Sequence, residues 1–194
     1  MISKFIDYLA QKPVILDFLR RFLEANHRGE KEVITSELPD RISGSVLDLG
    51  CGTGVFSPLF GPNYIGIDIS PLYIDYAKSR YAKTFKVMDA TKLDFPSGSF
   101  DMIWVNGVLH HLNDNISLSI ISEMKRVLKT GGRVVIMEVV PSTKMISKII
   151  GSLDIGDNIR PAEDYRRLFQ KYFVVQKEYP VRTGVCDFQA FVLT

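Results

Sequence analysis

The residues from Val46 to Phe56, VLDLGCGTGVF, end an apolar run in three glycines, Gly50, Gly52 and Gly54, spaced two apart. Glycine at the end of a strand lets the backbone turn sharply and approach a ligand closely. Three carboxylates stand at comparable places, each at or near the end of a short apolar run: Asp48 two residues before the first glycine, Asp68 after YIGI, and Asp89 after FKVM. Two adjacent histidines, His110 and His111, follow a fourth run, FDMIWV. Neutral imidazole is the usual general base near neutral pH. A nucleotide-like ligand with a reacting group beside it would use such a set.

The spacing restricts which ligand. A dinucleotide fingerprint, G-x-G-x-x-G, counted from Gly50 and Gly52 requires glycine at position 55, where Val55 stands. A phosphate-binding loop requires Gly-Lys-Ser/Thr after its first glycine, and no lysine is near. Asp48 would repel a pyrophosphate and suits a ligand with positive charge. S-adenosylmethionine carries an ammonium, a sulfonium, a ribose and an adenine, and no phosphate. Asp68 is placed to accept from ribose hydroxyls, as acids at this position do in nucleotide-binding α/β folds; capping the helix that starts at Ser70 or Pro71 is its plainer use. Ile69 beside it offers adenine an apolar face. Asp89 and Ala90 are placed at the adenine rim, although a strand-end Asp often only turns the chain.

The elements that must position these residues alternate. Ile15, Leu16, Leu19, Phe22 and Leu23 recur at helical spacing behind Pro13, which predicts a helix over 13–27 stopped by Gly29, then a second short helix near 30–38. SVLDLG, YIGIDI, FKVMD, FDMIWV and RVVIMEVV read as strands, nearly continuous in apolar character as strands covered on both faces are. Ile116, Ile120, Ile121, Met124, Val127 and Leu128 form one stripe of a crossover helix ending at Thr130-Gly131-Gly132, where glycine permits a left-handed cap. Pro161 opens another helix, and KYFVVQKEY and VCDFQAFVLT add two strands that form an edge. Strands alternating with helices predict a doubly wound, mostly parallel α/β sheet whose ligands bind beyond the carboxyl ends of its strands. One domain accounts for the chain: 1–44 as a helical lid, 45–140 as the cofactor-binding core, and 141–194 as acceptor-side helices with the last two strands.

The motifs VLDLGCGTG, YIGIDIS, VMDATKLDFPSGSFDMIWVNGVLHHL and EMKRVLKTGGRVVIMEV run unbroken from about Ser45 to Val140. In this the chain resembles the class I S-adenosylmethionine-dependent methyltransferases, and among them the small-molecule type often called type 11. The resemblance implies a Rossmann-like seven-stranded sheet with helices on both faces and an antiparallel edge strand. It implies that Gly50, Cys51 and Gly52 line the methionine moiety through their backbone, that Asp68 binds ribose, that Asp89 and Ala90 hold adenine, and that Asn106 lies near the methionine ammonium and the transferable methyl. Two features depart from the pattern: only Val55 to Pro62 separate the glycines from the next strand, and Thr130 stands where proline is usual.

What surrounds this core narrows the acceptor. A formal net charge of +2 from 24 basic and 22 acidic residues gives no general pull on a polyanion. The place where a nucleic-acid methyltransferase would show Asn/Asp-Pro-Pro-Tyr/Phe reads Asn106-Gly107-Val108-Leu109, without a stacking aromatic. Residues 1–44 and 141–171, amphipathic and carrying Phe5, Tyr8, Phe18 and Phe22, would wall a compact, partly apolar small molecule or lipid precursor. Met145, Ile146, Ile149 and Ile150 form a further amphipathic stretch, read first as a core-facing helix, with cover for the pocket or contact with a membrane surface as its other uses. His110 or His111 would serve as base, with packing as the competing use, and Arg160 either binds an acidic group of the acceptor or faces solvent. A non-catalytic partner protein with this fold is the third reading; the intact glycines and acids argue against it. Two cysteines, Cys51 and Cys186, make no disulfide framework, and no stretch approaches the ~18 apolar residues of a membrane span, so a cytoplasmic enzyme is expected.

Overall fold

The computed structural model describes residues 12–40, 42–141 and 158–194. Seven strands form one sheet: β1 (Val46–Leu49), β2 (Tyr64–Asp68), β3 (Thr84–Val87), β4 (Phe100–Asn106), β5 (Leu128–Val139), β6 (Val175–Thr183) and β7 (Cys186–Leu193). Their order is β3-β2-β1-β4-β5-β7-β6. β1 pairs parallel with both β2 and β4, so the chain departs in opposite directions from that point and opens a crevice at the end of β1. The antiparallel strand is β7, which sits one in from the edge between β5 and β6.

The near-continuous apolar runs are explained by packing on both sides. Leu47, Leu49, Ile103, Val105, Val134 and Ile136 belong to one buried cluster, and the alternate residues Val46, Met102, Trp104, Val135 and Met137 to the other. On the first face lies the crossover helix α4 (Asp114–Val127), whose Ile120, Ile121, Met124 and Val127 are buried and whose Asn113 caps it by accepting from the Ile116 amide at 3.1 Å. Before it in the chain come α1 (Pro13–Leu23), α2 (Arg28–Glu37) and α3 (Pro71–Arg80), and after it α5 (Ala162–Phe169). Val14, Phe18 and Phe22, one stripe of α1, are 65%, 71% and 80% exposed.

Three expectations are corrected. The first helix ends at Leu23, not at 27, and what ends it is a run of left-handed residues, Ala25, Asn26 and His27 at φ 46°, 58° and 57°. Each such conformation costs a residue with a β-carbon about 1–2 kcal/mol. Gly29 is no stop: it is the second residue of α2, and a β-carbon there would meet Val181 Cγ1 at 2.9 Å and the Arg182 carbonyl at 3.1 Å. Its bareness lets α2 lie against β6. The crossover helix ends at Val127, and Gly131, at φ 77°, instead sits in β5 where the register with β4 shifts. The amphipathic stretch around Met145 and the aromatics Phe5 and Tyr8 lie outside the described residues.

Gly29→Ala is expected to destabilise the chain by about 1–3 kcal/mol, the usual cost of overpacking. Urea denaturation measures it, and a change under ~0.5 kcal/mol would mean that α2 does not rest on β6 as described.

Candidate active site

The loop between β1 and the following 3₁₀ turn carries the three glycines, all with positive φ: 73° at Gly50, 51° at Gly52 and 77° at Gly54. A β-carbon on Gly50 would lie 2.4 Å from Val108 Cγ2, and one on Gly54 2.9 Å from the Phe85 ring, so these two are bare because protein packs against them. At Gly52 no atom lies within 4 Å of that position, and the loop faces open space. The amides of Gly50 and Cys51 donate to the Ile67 carbonyl at 2.8 and 2.9 Å, while the Gly52 amide donates to Asp68 Oδ2 at 2.9 Å. The other oxygen of Asp68 accepts from the Ser70 amide at 2.8 Å, and Ser70 itself caps α3 through Tyr73. The helix-capping task thus belongs to Ser70, and Asp68 ties the glycine loop to the end of β2. From the N-terminal side, the Thr53 hydroxyl donates to Asp17 of α1.

Asp48 is buried beneath this loop, and its carboxyl accepts from the Tyr64 hydroxyl at 2.6 Å. Burial, opposed by that hydrogen bond and reinforced by the charge of Asp68, pushes its pKa up to about 7. Burial likewise raises Asp68, with the amides of Ser70 and Gly52 pulling the other way, and it pushes the Cys51 thiol up. Cys51 is therefore a packed thiol, not a nucleophile. Ile69 is 72% exposed at the mouth of the crevice. Asp89 is exposed and accepts from the amide and hydroxyl of Thr91, both at 2.8 Å, so its Oδ1 turns the chain; those hydrogen bonds lower its pKa. Ala90 beside it is half-buried.

At the end of β4, Asn106 is 9% exposed, and neither its Oδ1 nor its Nδ2 has a hydrogen-bond partner among the described residues. The segment after it is gripped by Glu138 of β5, a residue that composition and spacing did not bring forward. Glu138 Oε1 accepts from the amides of Val108 at 3.0 Å and Leu109 at 2.8 Å, and Oε2 accepts from the His110 amide at 3.3 Å. The same Oε2 stands 2.9 Å from His110 Nδ1, with both side chains buried. Its signal was present: a lone acid in the apolar run RVVIMEVV. His111 is exposed, with its ring centroid 4.0 Å from that of His110.

Arg160 does neither of the things expected of it. It is 8% exposed, its Nη1 donates to the Leu109 carbonyl at 2.9 Å, and its Nη2 donates to the Leu112 carbonyl. Nε and Nη2 both reach Asp114 Oδ1, at 2.9 and 2.8 Å. The guanidinium fastens the start of α5 to the histidine segment and is spent on protein acceptors.

The family model for a methyltransferase domain matches residues 47–136, the stretch that holds the glycine loop, Asp68, Asn106 and the histidines. Over that stretch the chain is similar to the class I S-adenosylmethionine-dependent methyltransferases. Among curated relatives, the ubiquinone/menaquinone biosynthesis C-methyltransferase of Desulfotalea psychrophila is 32% identical over 60% of this chain and 50% of its own. The 2-methyl-6-phytyl-1,4-hydroquinone methyltransferase of Synechocystis is 31% identical over 69% of this chain and 43% of its own. The chain thus spans about half the length of the curated relatives it matches. A solved methyltransferase of Haloferax volcanii, in complex with the methyltransferase activator Trm112, shares the fold at 18% identity and TM-score 0.74, over 99% of this chain and 97% of its own.

The sheet brings Asp48, Gly50, Cys51, Gly52, Gly54, Asp68 and Asn106 to neighbouring ends of β1, β2 and β4, and leaves Asp89 and Ala90 beyond β3. The raised pKa of Asp48 means that the folded chain keeps a proton that the unfolded chain releases. Its stabilising contribution is full below the ordinary aspartate value, about pH 4, and is lost as pH rises towards about 7. Asp48→Asn should remove this slope, so that the melting temperature of the unmodified chain falls relative to the variant between pH 4 and about 7. Parallel melting curves across that range check it.

Proposed function

We propose that the chain binds S-adenosylmethionine across Gly50–Gly54, Asp68 and Asn106 and transfers its methyl group to a small, partly apolar acceptor. The observation that carries this is Asn106, whose buried amide has both hydrogen-bonding ends unmet among the described residues, at the end of the strand that pairs with β1 just before the glycine loop. Buried polar groups in native proteins are met by something, and an ammonium and carboxylate of a bound amino acid would meet both ends. Asp68 would accept from the ribose with the lone pairs left after Gly52 and Ser70, and exposed Ile69 would be covered by adenine, with Asp89 and Ala90 at its rim.

When bound, the cofactor supplies a methyl group on a positively charged sulfur, already activated for in-line displacement. The chain has to align the acceptor, exclude water and, where the acceptor must lose a proton, take it. Orientation alone can supply about 7–11 kcal/mol. Glu138, accepting from backbone amides, also accepts from His110 Nδ1–H, which leaves the lone pair on Nε2. That is the tautomer of a base, and we assign His110 that role, with the exposed His111 ring tilted at 42° beside it. α1, tied to the glycine loop through Asp17 and Thr53, serves as the lid. The quinone- and hydroquinone-methylating relatives and the apolar stripe of α1 support a prenylated or lipid-like ring as acceptor. The compartment we propose is the cytoplasm; among the described residues no helix is long and apolar enough to cross a membrane.

Calorimetry with S-adenosylmethionine, S-adenosylhomocysteine and NAD tests the first part. The first two are expected to bind and NAD not, and Asp68→Ala should weaken binding by roughly 1–3 kcal/mol, the cost of unmet hydroxyls. NAD binding with no response to the other two would end this reading. His110→Asn should lower turnover about 10²- to 10⁴-fold with cofactor affinity unchanged.

A second reading of the acceptor is favoured by the match along nearly the whole chain to the Haloferax methyltransferase seen with its activator. β3 is the edge of the sheet, and its outer side pairs with no strand among the described residues. Here the chain would work with an activator on that edge and act on a larger acceptor. Screening prenylated quinols and hydroquinones against bulk tRNA and rRNA, with and without a Trm112-type protein, separates the two: methylated quinols support the first, and RNA methylation only in the presence of the activator supports the second.

A further inference from the structure

A second cluster of ionisable groups lies where α1 gives way to α2 against the last residue of β6. Glu24, His27 and Glu30 are spaced three apart, and all are buried, with 6%, 2% and 0% exposure. One oxygen or nitrogen from each lies within 4.8 Å of the others. His27 Nδ1 is 2.6 Å from Glu24 Oε2 and 3.7 Å from Glu30 Oε1. Glu30 Oε2 is met by the Thr183 hydroxyl at 2.7 Å, but that hydroxyl is equally close, 2.7 Å, to the Glu24 carbonyl, and it has one proton to give. Glu30 Oε1 has no hydrogen-bond partner among the described residues. Arg20 meets Glu24 from the other side, through Nε at 2.9 Å and Nη2 at 3.3 Å. The cluster therefore holds two buried carboxylates, one guanidinium, and a fully buried acceptor aimed at an imidazole nitrogen it does not reach.

The three left-handed residues, Ala25, Asn26 and His27, are what bring His27 round between the two carboxylates. Backbone strain of this kind persists where the surroundings demand it, and it gathers at ligand sites. An unmet buried oxygen in such a place calls for an unrecorded ion or water.

We propose that Glu24, His27 and Glu30 form a binding site for a divalent transition-metal ion, with Glu24 Oε2, His27 Nδ1 and Glu30 Oε1 as ligands. A set of one imidazole and two carboxylates suits Mn²⁺, Fe²⁺, Co²⁺ or Zn²⁺; the nitrogen is a poor match for Ca²⁺ or Mg²⁺, which prefer oxygen alone. Metal–ligand bonds of about 2.1 Å put neighbouring ligands about 3 Å apart. The two separations from His27 Nδ1, 2.6 and 3.7 Å, fall on either side of that value, and the three ligand atoms all lie within 4.8 Å of one another, so drawing the carboxylates in around an ion closes the site. The ion would staple α1 and α2 to the end of β6. The proposal does not rest on the methyl-transfer reading, since its residues lie outside the cofactor crevice.

The full chain, stripped with a chelator, is titrated in turn with Mn²⁺, Co²⁺, Zn²⁺, Ca²⁺ and Mg²⁺ by calorimetry and thermal melting. One equivalent of a transition-metal ion should bind, and the melting temperature should rise roughly 5–10 °C at a hundredfold excess over Kd. Glu30→Gln should weaken binding by at least the roughly 10- to 100-fold that loss of a supporting group costs at metal sites. Because that variant can lose its fold, NMR of the unmodified chain is the second readout: of the three histidines, Mn²⁺ should broaden His27 first. The proposal is overturned if no transition-metal ion binds, if Ca²⁺ or Mg²⁺ binds ahead of them, if folded Glu30→Gln binds undiminished, or if broadening appears first at His110 or His111.

Discussion

The loops that build the crevice leave the sheet at the ends of parallel strands, where backbone amides lose their ladder partners, and carboxylates take those amides over. Asp68 holds the Gly52 and Ser70 amides, and Glu138 holds those of Val108, Leu109 and His110. A side chain performs in each case what a further strand residue would have done, but at a chosen angle. That angle leaves Gly52 facing open space and holds the His110 ring against Glu138. Without these bonds the loops would carry unmet buried donors, each costing about 1–3 kcal/mol, and the strand ends would have no fixed shape to offer a ligand.

The remainder of the structure is organised around keeping that edge of the sheet in place. α2 lies on β6 because Gly29 allows the approach, and its last turn is fixed by Glu37, which accepts from Lys177 Nζ at 3.0 Å and from the Tyr179 hydroxyl at 3.2 Å. Arg133 of β5 reaches back to the Glu37 carbonyl at 2.8 Å. The N-terminal helices thus bridge β5 and β6 at one end and touch the glycine loop through Asp17 at the other. Their junction is where the chain accepts three left-handed residues.

The crevice at the strand ends was legible in the sequence because its signals are local. A glycine that needs positive φ, an acid at the end of an apolar run and an asparagine that closes a strand can each be read within a few residues of one another, and the strand order follows from the alternation. What escaped is set by tertiary contact. Arg160 reads as a surface residue before a proline, and only the folded chain shows that it is surrounded by the carbonyls of Leu109, Leu112 and Asn158. Glu138 hides in a strand whose other residues are apolar. Gly29 has the look of a helix stop, since nothing in the neighbouring residues says that a strand nearly 150 positions later will press against it. The grouping of Glu24, His27 and Glu30 depends on a backbone reversal that no residue type there announces, because Ala25 has no preference for the conformation it adopts.

The chain is pinned both just after β5 and just before α5. Val140 donates its amide to the Asp187 carbonyl at 3.2 Å, and Asn158 donates its own to the His110 carbonyl at 2.9 Å, with Arg160 locking the return. Val140 and Asn158 are thus held in place by the described fold alone. Closing a longer loop between fixed ends costs little, about 0.6 kcal/mol for each doubling of length. With both anchors held by the fold itself, a change in the length of the sequence between them would leave the glycine loop and the histidine segment as they are.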